Sequence, residues 1–219
     1  MARKNQLPKF PDDYLLEKAE EYNNSKWMKR NQNRTTLQSI KYLYDKKLED
    51  DKKTGIIKRE SPLILDLGCG TGFSSEILIQ NGFRVIGIDI SEDMILKARQ
   101  KKKILKIYND LELILADINH LPFRRNKIDH IISISSYNFI TYGLENYGEK
   151  FKLLNDTAQK LHEILQKNGR IVIEFYPKDE RELKMFNKSF INNNFEGYMV
   201  KSNPNQKSGQ TFLLLKKKM

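Results

Sequence analysis

The stretch best suited to chemistry is Leu65-Asp66-Leu67-Gly68-Cys69-Gly70-Thr71-Gly72-Phe73, where glycines alternate with other residues directly after a short apolar run. Glycine leaves main-chain groups open to a ligand that a side chain would hold off. The spacing is G-x-G-x-G; a dinucleotide loop of the G-x-G-x-x-G kind needs glycine where Phe73 stands. Asp66 lies two residues before the first glycine, from where a carboxylate repels a pyrophosphate and attracts an ammonium or a sulfonium. Asp89 follows 17 residues after Gly72, at the end of a second apolar run, where an acid can accept from both ribose hydroxyls of an adenosine. Asp117, in Leu115-Ala116-Asp117-Ile118, can accept from an adenine amino group, with Met94 and Ile118 as apolar walls. Each feature alone has an ordinary explanation: a tight turn, a helix cap, a turn residue. Jointly they describe a pocket for a cationic adenosine ligand, and S-adenosylmethionine fits it best. Cys69 reads as a small packing residue of the loop, since no histidine is near it in sequence.

Such a pocket needs a scaffold that brings successive strand ends together. Short apolar runs predict strands at 63–67, 84–88, 111–116, 128–134 and 170–175. Between them, helices are expected at 74–80, after Ser91 with Glu92 and Asp93 in the first turn, and at 147–168. In the last of these, Phe151, Leu154, Ala158, Leu161 and Leu165 recur every three or four residues, and Gly169 is expected as the C-cap. A further helix carries Leu183, Phe186 and Phe190, and strands at 198–201 and 211–215 can pair across a polar loop. This alternation predicts an α/β fold with a mostly parallel seven-stranded sheet, closed by an antiparallel C-terminal hairpin. Residues 1–58 read as an N-terminal helical extension and 59–219 as the sheet domain. In the extension, a helix over 33–48 is expected with Leu37, Ile40, Tyr44 and Leu48 on one face and Asn33, Thr35 or Thr36 as cap, followed by a charged loop at 49–60.

Composition narrows the partners. Among 219 residues, 39 Lys+Arg against 28 Asp+Glu leave a net charge of +11, which favours a polyanion such as nucleic acid. One cysteine and three histidines argue against a disulfide scaffold and against a structural metal site, so no metal ligand is assigned. No apolar run approaches the length of a membrane span, and the N-terminus lacks the apolar stretch of a signal peptide. A cytoplasmic protein with no membrane partner is therefore expected.

The glycine loop with Asp66, Asp89 before Ile90-Ser91, and Asp117 before Leu121-Pro122-Phe123 resemble the class I S-adenosylmethionine-dependent methyltransferases, which have a Rossmann-like fold. Ile132-Ser133-Ile134-Ser135-Ser136 and Phe175-Tyr176-Pro177-Lys178 resemble, more narrowly, the eukaryotic small-subunit ribosomal RNA guanine-N-7 methyltransferases, as does the pattern of Tyr22, Ser25, Gln32, Thr36 and Leu37. The chain departs from that family after Ser136, where Tyr137-Asn138-Phe139-Ile140 replaces a tryptophan-containing stretch, and at its end, which has only Lys216-Lys217-Lys218 in place of a long basic extension. The resemblance implies that Asp66, Gly68, Cys69, Gly70, Gly72, Asp89, Ile90, Met94, Asp117, Ile118 and Ser133 form the cofactor side. Ser133 would hold the methionine ammonium through its carbonyl. Ser135, Tyr137, Asn138, Tyr176 and Pro177 become candidates for the acceptor side, and Arg30 and Arg34 for phosphate or cofactor-carboxylate contacts. For Tyr137 and Tyr176, packing under a loop is an equal alternative; for the arginines, a solvated helix face is. No general base is assigned. The resemblance also implies RNA, as ribosomal RNA or a pre-ribosomal particle, as partner, and a small zinc-binding activator subunit paired with the third strand, Leu111 to Ala116. A methyltransferase acting on a small molecule or on a tRNA wobble modification, and a non-catalytic binding module, are the competing readings.

Overall fold

The computed structural model describes residues 10–48, 61–202 and 210–218. The start of the chain, the charged loop at 49–60 with the expected division at 58, and most of the turn of the final hairpin lie outside the described residues. Seven strands form one sheet: β1 (Leu63–Leu67), β2 (Arg84–Asp89), β3 (Leu111–Leu115), β4 (Ile128–Ile134), β5 (Leu165–Phe175), β6 (Phe195–Lys201) and β7 (Thr211–Lys217). Their order is β3-β2-β1-β4-β5-β7-β6. The first five are parallel, and β7 runs antiparallel to both β5 and β6. The helices are α1 (Leu16–Asn24), α2 (Lys26–Leu43), α3 (Phe73–Gln80), α4 (Glu92–Leu105), α5 (Tyr147–Ile164) and α6 (Glu180–Asn192).

Alternating residues along each central strand serve opposite layers. Leu65, Ile131, Ile171 and Ile173 pack with Leu154, Leu161 and Phe186 of α5 and α6. Ile64, Ile132 and Val172 pack with Leu43 and Leu78 of α2 and α3. Burial on both faces is why the strands read as unbroken apolar runs. Caps set several helix starts: Ser91 Oγ accepts from Met94 N, Asn146 Oδ1 from Gly148 N at 2.7 Å, and Asp179 Oδ1 from Glu182 N at 2.7 Å. Among the described residues, no helix is long and apolar enough to cross a membrane.

Two expectations fail. The N-terminal helix starts at Lys26, capped by Ser25, and not near Asn33. Its buried face is Met28, Gln32, Thr35, Thr36, Ser39 and Leu43, while Leu37 and Tyr44 are exposed. Hydrophobic period is blind to such a face. Small polar residues allow close packing, and a hydroxyl can be satisfied within the helix, as Thr36 Oγ1 is by Gln32 O at 2.7 Å. Arg170 of β5 donates to Leu43 O at 2.6 Å and so caps the end of α2 from the sheet.

The second failure is the end of α5. The helix stops at Ile164, and Gly169 lies inside β5. Leu165 completes the apolar period yet opens a strand, pairing with Ile128 before a register shift leads to the His130–Arg170 pair. Gly169 is needed for space: a Cβ would fall 2.5 Å from Leu165 Cγ and 2.7 Å from Asp129 O. Gly169→Ala should therefore lower stability by about 1–3 kcal/mol, read as a lower urea midpoint; an unchanged midpoint would show that this crossing has slack.

Candidate active site

In an open parallel sheet, the crevice forms where neighbouring connections leave in opposite directions, here between β1 and β4. The turn leaving β1 is held by its neighbours. Cys69 N donates to Ile88 O at 2.8 Å and Gly70 N to Asp89 Oδ2 at 2.8 Å. Ser136 Oγ and Ser133 Oγ donate to Leu67 O at 2.5 and 3.1 Å. Gly68 sits so close to β4's exit that a Cβ would lie 2.3 Å from Ser136 Cβ, whereas a Cβ on Gly70 would meet nothing within 4 Å. One glycine allows the close approach; the other faces open space.

Asp89 Oδ1 also accepts from Ser91 N at 2.9 Å, so both carboxylate oxygens are oriented by main chain. Burial pushes its pKa up, opposed by these N–H donors. Asp66 is fully buried beneath the turn, and its Oδ2 accepts from Ser74 Oγ at 2.6 Å and Ser75 Oγ at 2.7 Å. Its Oδ1 has no partner among the described residues. Burial pushes the Asp66 carboxyl up to about 6. Asp117 Oδ1 accepts from Asn119 N at 2.9 Å, with His120 Nδ1 3.4 Å from its other oxygen.

Asp89 and Asp117 open onto a cavity of about 420 Å³. Its floor is the turn (Gly68, Cys69, Gly70, Thr71) with Asp89 and Ile90; Asp117 and Ile118 close one side, and Ser135 and Tyr176 stand at the ends of β4 and β5. An aromatic cap from the N-terminal segment covers it. Phe10 stacks on Phe139 at 4.8 Å between centroids and meets Tyr142 edge-on at 5.0 Å, and Tyr14 contacts Phe139 and Tyr22. The segment is anchored on α4: Ser91 Oγ donates to Tyr14 O at 3.1 Å, Leu16 N to Asp93 Oδ2 at 2.9 Å, and Lys97 pairs with Glu20.

Nine of the residues singled out from sequence line this cavity: Gly68, Cys69, Gly70, Asp89, Ile90, Asp117, Ile118, Ser135 and Tyr176. The others stand behind it or away from it. Tyr137 is no rim residue; it is 0% exposed and packs on Phe186 and Phe190. Asn138 faces the chain after β5, accepting from Tyr176 N at 3.0 Å and donating to Tyr176 O at 2.8 Å. Asp66, Met94 and Ser133 are wholly buried and outside the lining. Gly72 opens α3, where a Cβ would meet Ala98 at 3.4 Å. Pro177, Arg30 and Arg34 are also outside the lining; from α2 it is Met28, Asn31 and Gln32 that reach it. Sequence reading missed Phe10, Tyr14, Asn31, Phe139 and Tyr142. They lie on short irregular turns or a polar helix face, where the sequence carries no periodic signal.

With the geometry in place, comparison with known proteins is decisive for the family. Residues 59–215 match the family described as a methyltransferase domain. The chain belongs to that family. This methyltransferase domain is 30% identical to the 18S rRNA (guanine-N(7))-methyltransferase of Schizosaccharomyces pombe, over 73% of this chain and 59% of that protein. It is 32% identical to the 18S rRNA (guanine(1575)-N(7))-methyltransferase of Saccharomyces cerevisiae, over 66% of this chain and 51% of that one. The chain thus spans between half and three-fifths of these relatives' length. Among solved structures, a protein from Pyrococcus horikoshii superposes with a TM-score of 0.65 at 22% identity, covering 91% of this chain and 99% of the other. Magnesium protoporphyrin IX methyltransferase of Synechocystis, solved with S-adenosylmethionine, gives 0.59 at 19% identity, covering 90% and 93%. Both share the Rossmann-like fold.

The site suits that cofactor on its own geometry. Open space faces the bare main chain at Gly70, an oriented carboxylate at Asp89 adjoins it, and the unpaired oxygen of buried Asp66 leaves negative charge beneath.

Because the folded pKa of Asp66 lies above the ordinary 3.8, the folded state binds more protons between about pH 4 and 6, and stability falls as pH rises across that window. Asp66→Asn keeps an acceptor for Ser74 and Ser75 without the charge. Its stability relative to wild type should grow from about pH 4 to 6, on the order of 2 kcal/mol, then level off. Thermal melts across pH measure this; parallel curves would reject the buried charge.

Proposed function

We propose that this methyltransferase domain transfers a methyl group from S-adenosylmethionine to guanine at position seven in RNA, most specifically small-subunit ribosomal RNA. The observation that carries the reading is the cavity itself: bare main chain and an anchored carboxylate on one wall, hydroxyls on the opposite wall, and aromatic rings above. The similarity to 18S rRNA guanine-N7 methyltransferases supports the acceptor, and a net charge of +11 suits a polyanion.

S-adenosylmethionine, when bound, supplies an electrophilic methyl group on a sulfonium. Gly68 and Gly70 give its methionine part access to backbone, and Asp89 takes the ribose hydroxyls. Ile90 and Ile118 flank the adenine, with Asp117 accepting from its amino group. Asp66 acts from below, through its charge and through Ser74, and Ser133 and Gly72 shape the turn. The aromatic cap excludes water, which strengthens every electrostatic contact inside. Guanine N7 presents a lone pair and carries no proton, so the protein needs only to align it with the methyl, and no side chain has to act as a base. Tyr176 and Ser135 stand where the base enters, and the cationic face of α2, with Arg30 and Arg34, is available to phosphates.

The activator reading has its own support. β3 is an edge of the sheet, and Ile104, Leu105, Tyr108 and Leu115 expose apolar surface on and before it. An edge of this kind invites strand addition by a partner; the zinc-binding character of that partner follows from the resemblance alone. Lys102, 3.6 Å from Glu112, is the kind of charge that guards an unpaired edge. Light scattering with a candidate activator tests the pairing: a one-to-one complex supports it, and an active monomer indifferent to the subunit removes it.

The central test is labelled methyl transfer onto total RNA followed by nucleoside analysis. Label in 7-methylguanosine is expected; label confined to small metabolites would favour the small-molecule alternative. Asp89→Ala should weaken cofactor binding at least tenfold in calorimetry, about 1.4 kcal/mol, and an unchanged affinity would discard the ribose contact.

A further inference from the structure

The wall where β4 and β5 end contains a charge that the mechanism above does not use. Glu174 is fully buried and stands behind Ser135 and Tyr176, which line the cavity. Ser135 Oγ donates to its Oε2 at 2.6 Å, Tyr176 Oη donates to its Oε1 at 2.6 Å, and Gln210 Nε2 donates to Oε1 as well. Gln210 is also tied to Thr35 Oγ1 of α2 at 2.6 Å. Donors converging from both sides suit an ionised carboxylate, which only accepts. Burial pushes its pKa up, and these donors with the Arg34 charge oppose the shift. A buried carboxylate is costly where an apolar side chain would pack. Ser135 adds a second cost with a φ of +56°, in the left-handed region that non-glycine residues rarely adopt. Concentrated strain and buried charge at one cavity wall point to function.

The chemistry follows from counting protons. A serine or tyrosine hydroxyl has one hydrogen to donate. With both hydrogens committed to Glu174, Ser135 Oγ and Tyr176 Oη can only accept from a ligand. A wall that accepts without donating selects a ligand edge composed of donors. Guanine has such an edge, N1–H beside the N2 amino group, whereas adenine presents a lone pair at N1. A guanine held by that edge turns its imidazole ring, with N7, away from the β4–β5 wall and into the cavity.

We infer that Glu174 is a specificity-determining positioning residue, which draws the hydroxyl protons of Ser135 and Tyr176 onto itself and so converts them into paired acceptors for the N1–H and N2 amino group of guanine. The inference rests on the guanine reading proposed above.

The test uses the protein purified with any subunit that accompanies it, labelled S-adenosylmethionine, and two transcripts of one ribosomal sequence, one made with guanosine and one with inosine. Inosine keeps N7 and N1–H but lacks the N2 amino group. Wild type should methylate the guanosine transcript at least tenfold more efficiently, since a site built to bond a donor rejects the analogue without it. Glu174→Gln must donate its amide hydrogens to a neighbouring oxygen, turning a hydroxyl proton into the cavity. The preference should then fall to within about twofold of unity, while cofactor affinity by calorimetry stays the same. Tyr176→Phe, at a half-buried position, should also lower the preference. Equal use of both transcripts by wild type, or an unaltered preference in Glu174→Gln, overturns the inference and leaves the guanine reading standing. Cofactor binding without transfer to the guanosine transcript overturns that reading and the inference with it.

Discussion

The turn from β1 into α3 has almost no side chains with which to hold itself, so everything around it must do so. Its carbonyl at Leu67 is held by two serines from the β4 end, its N–H at Gly70 by Asp89, and its N–H at Cys69 by Ile88 O. Unsatisfied main-chain groups in such a place would each cost on the order of 1–3 kcal/mol. The same bonds decide what the turn can do. Asp89, oriented by the turn it supports, is thereby presented to the cavity. Support and recognition are one set of contacts.

Burial of charge is the second theme. Asp66, Asp89 and Glu174 lie at the C-terminal ends of β1, β2 and β5, and each is pushed upward by desolvation. Among the described residues, none is paired with a lysine or arginine in close contact; each is held by hydroxyls, amides or main-chain N–H groups instead. Neutral donors stabilise the ionised form without cancelling its field. A sulfonium entering this crevice therefore meets acceptor charge on one side, while the opposite wall offers polarised hydroxyl oxygens. The aromatic cap, anchored on α4 by Ser91 and Asp93, lines the same cavity.

The polar buried face of α2 joins these themes. Thr35 reaches Gln210, which reaches Glu174, while Asn31 and Gln32 reach the cavity. The helix is thus a wall of the site, and its small, hydrogen-bonding residues serve both close packing and placement of that network. Arg170, bonded to Leu43 O, fixes the far end of the same helix against the sheet.

The sequence by itself determined the alternation of strands and helices, the glycine turn and the acids at β1, β2 and β3, because apolar period and glycine spacing are local properties written along the chain. It also marked Ser91 as a cap and the antiparallel closure. Only tertiary structure decided the rest. Tyr137 and Tyr176, each just beyond the end of a strand, went to core and cavity respectively because Phe186 and Phe190 of α6 pack on the first while the second lines the cavity. Gly169 became a strand residue since Asp129 O approaches it from β4. Phe10 and Tyr14, the buried face of α2, and Glu174 carry no periodic signal. Their positions depend on contacts between segments more than thirty residues apart, which no local pattern can encode.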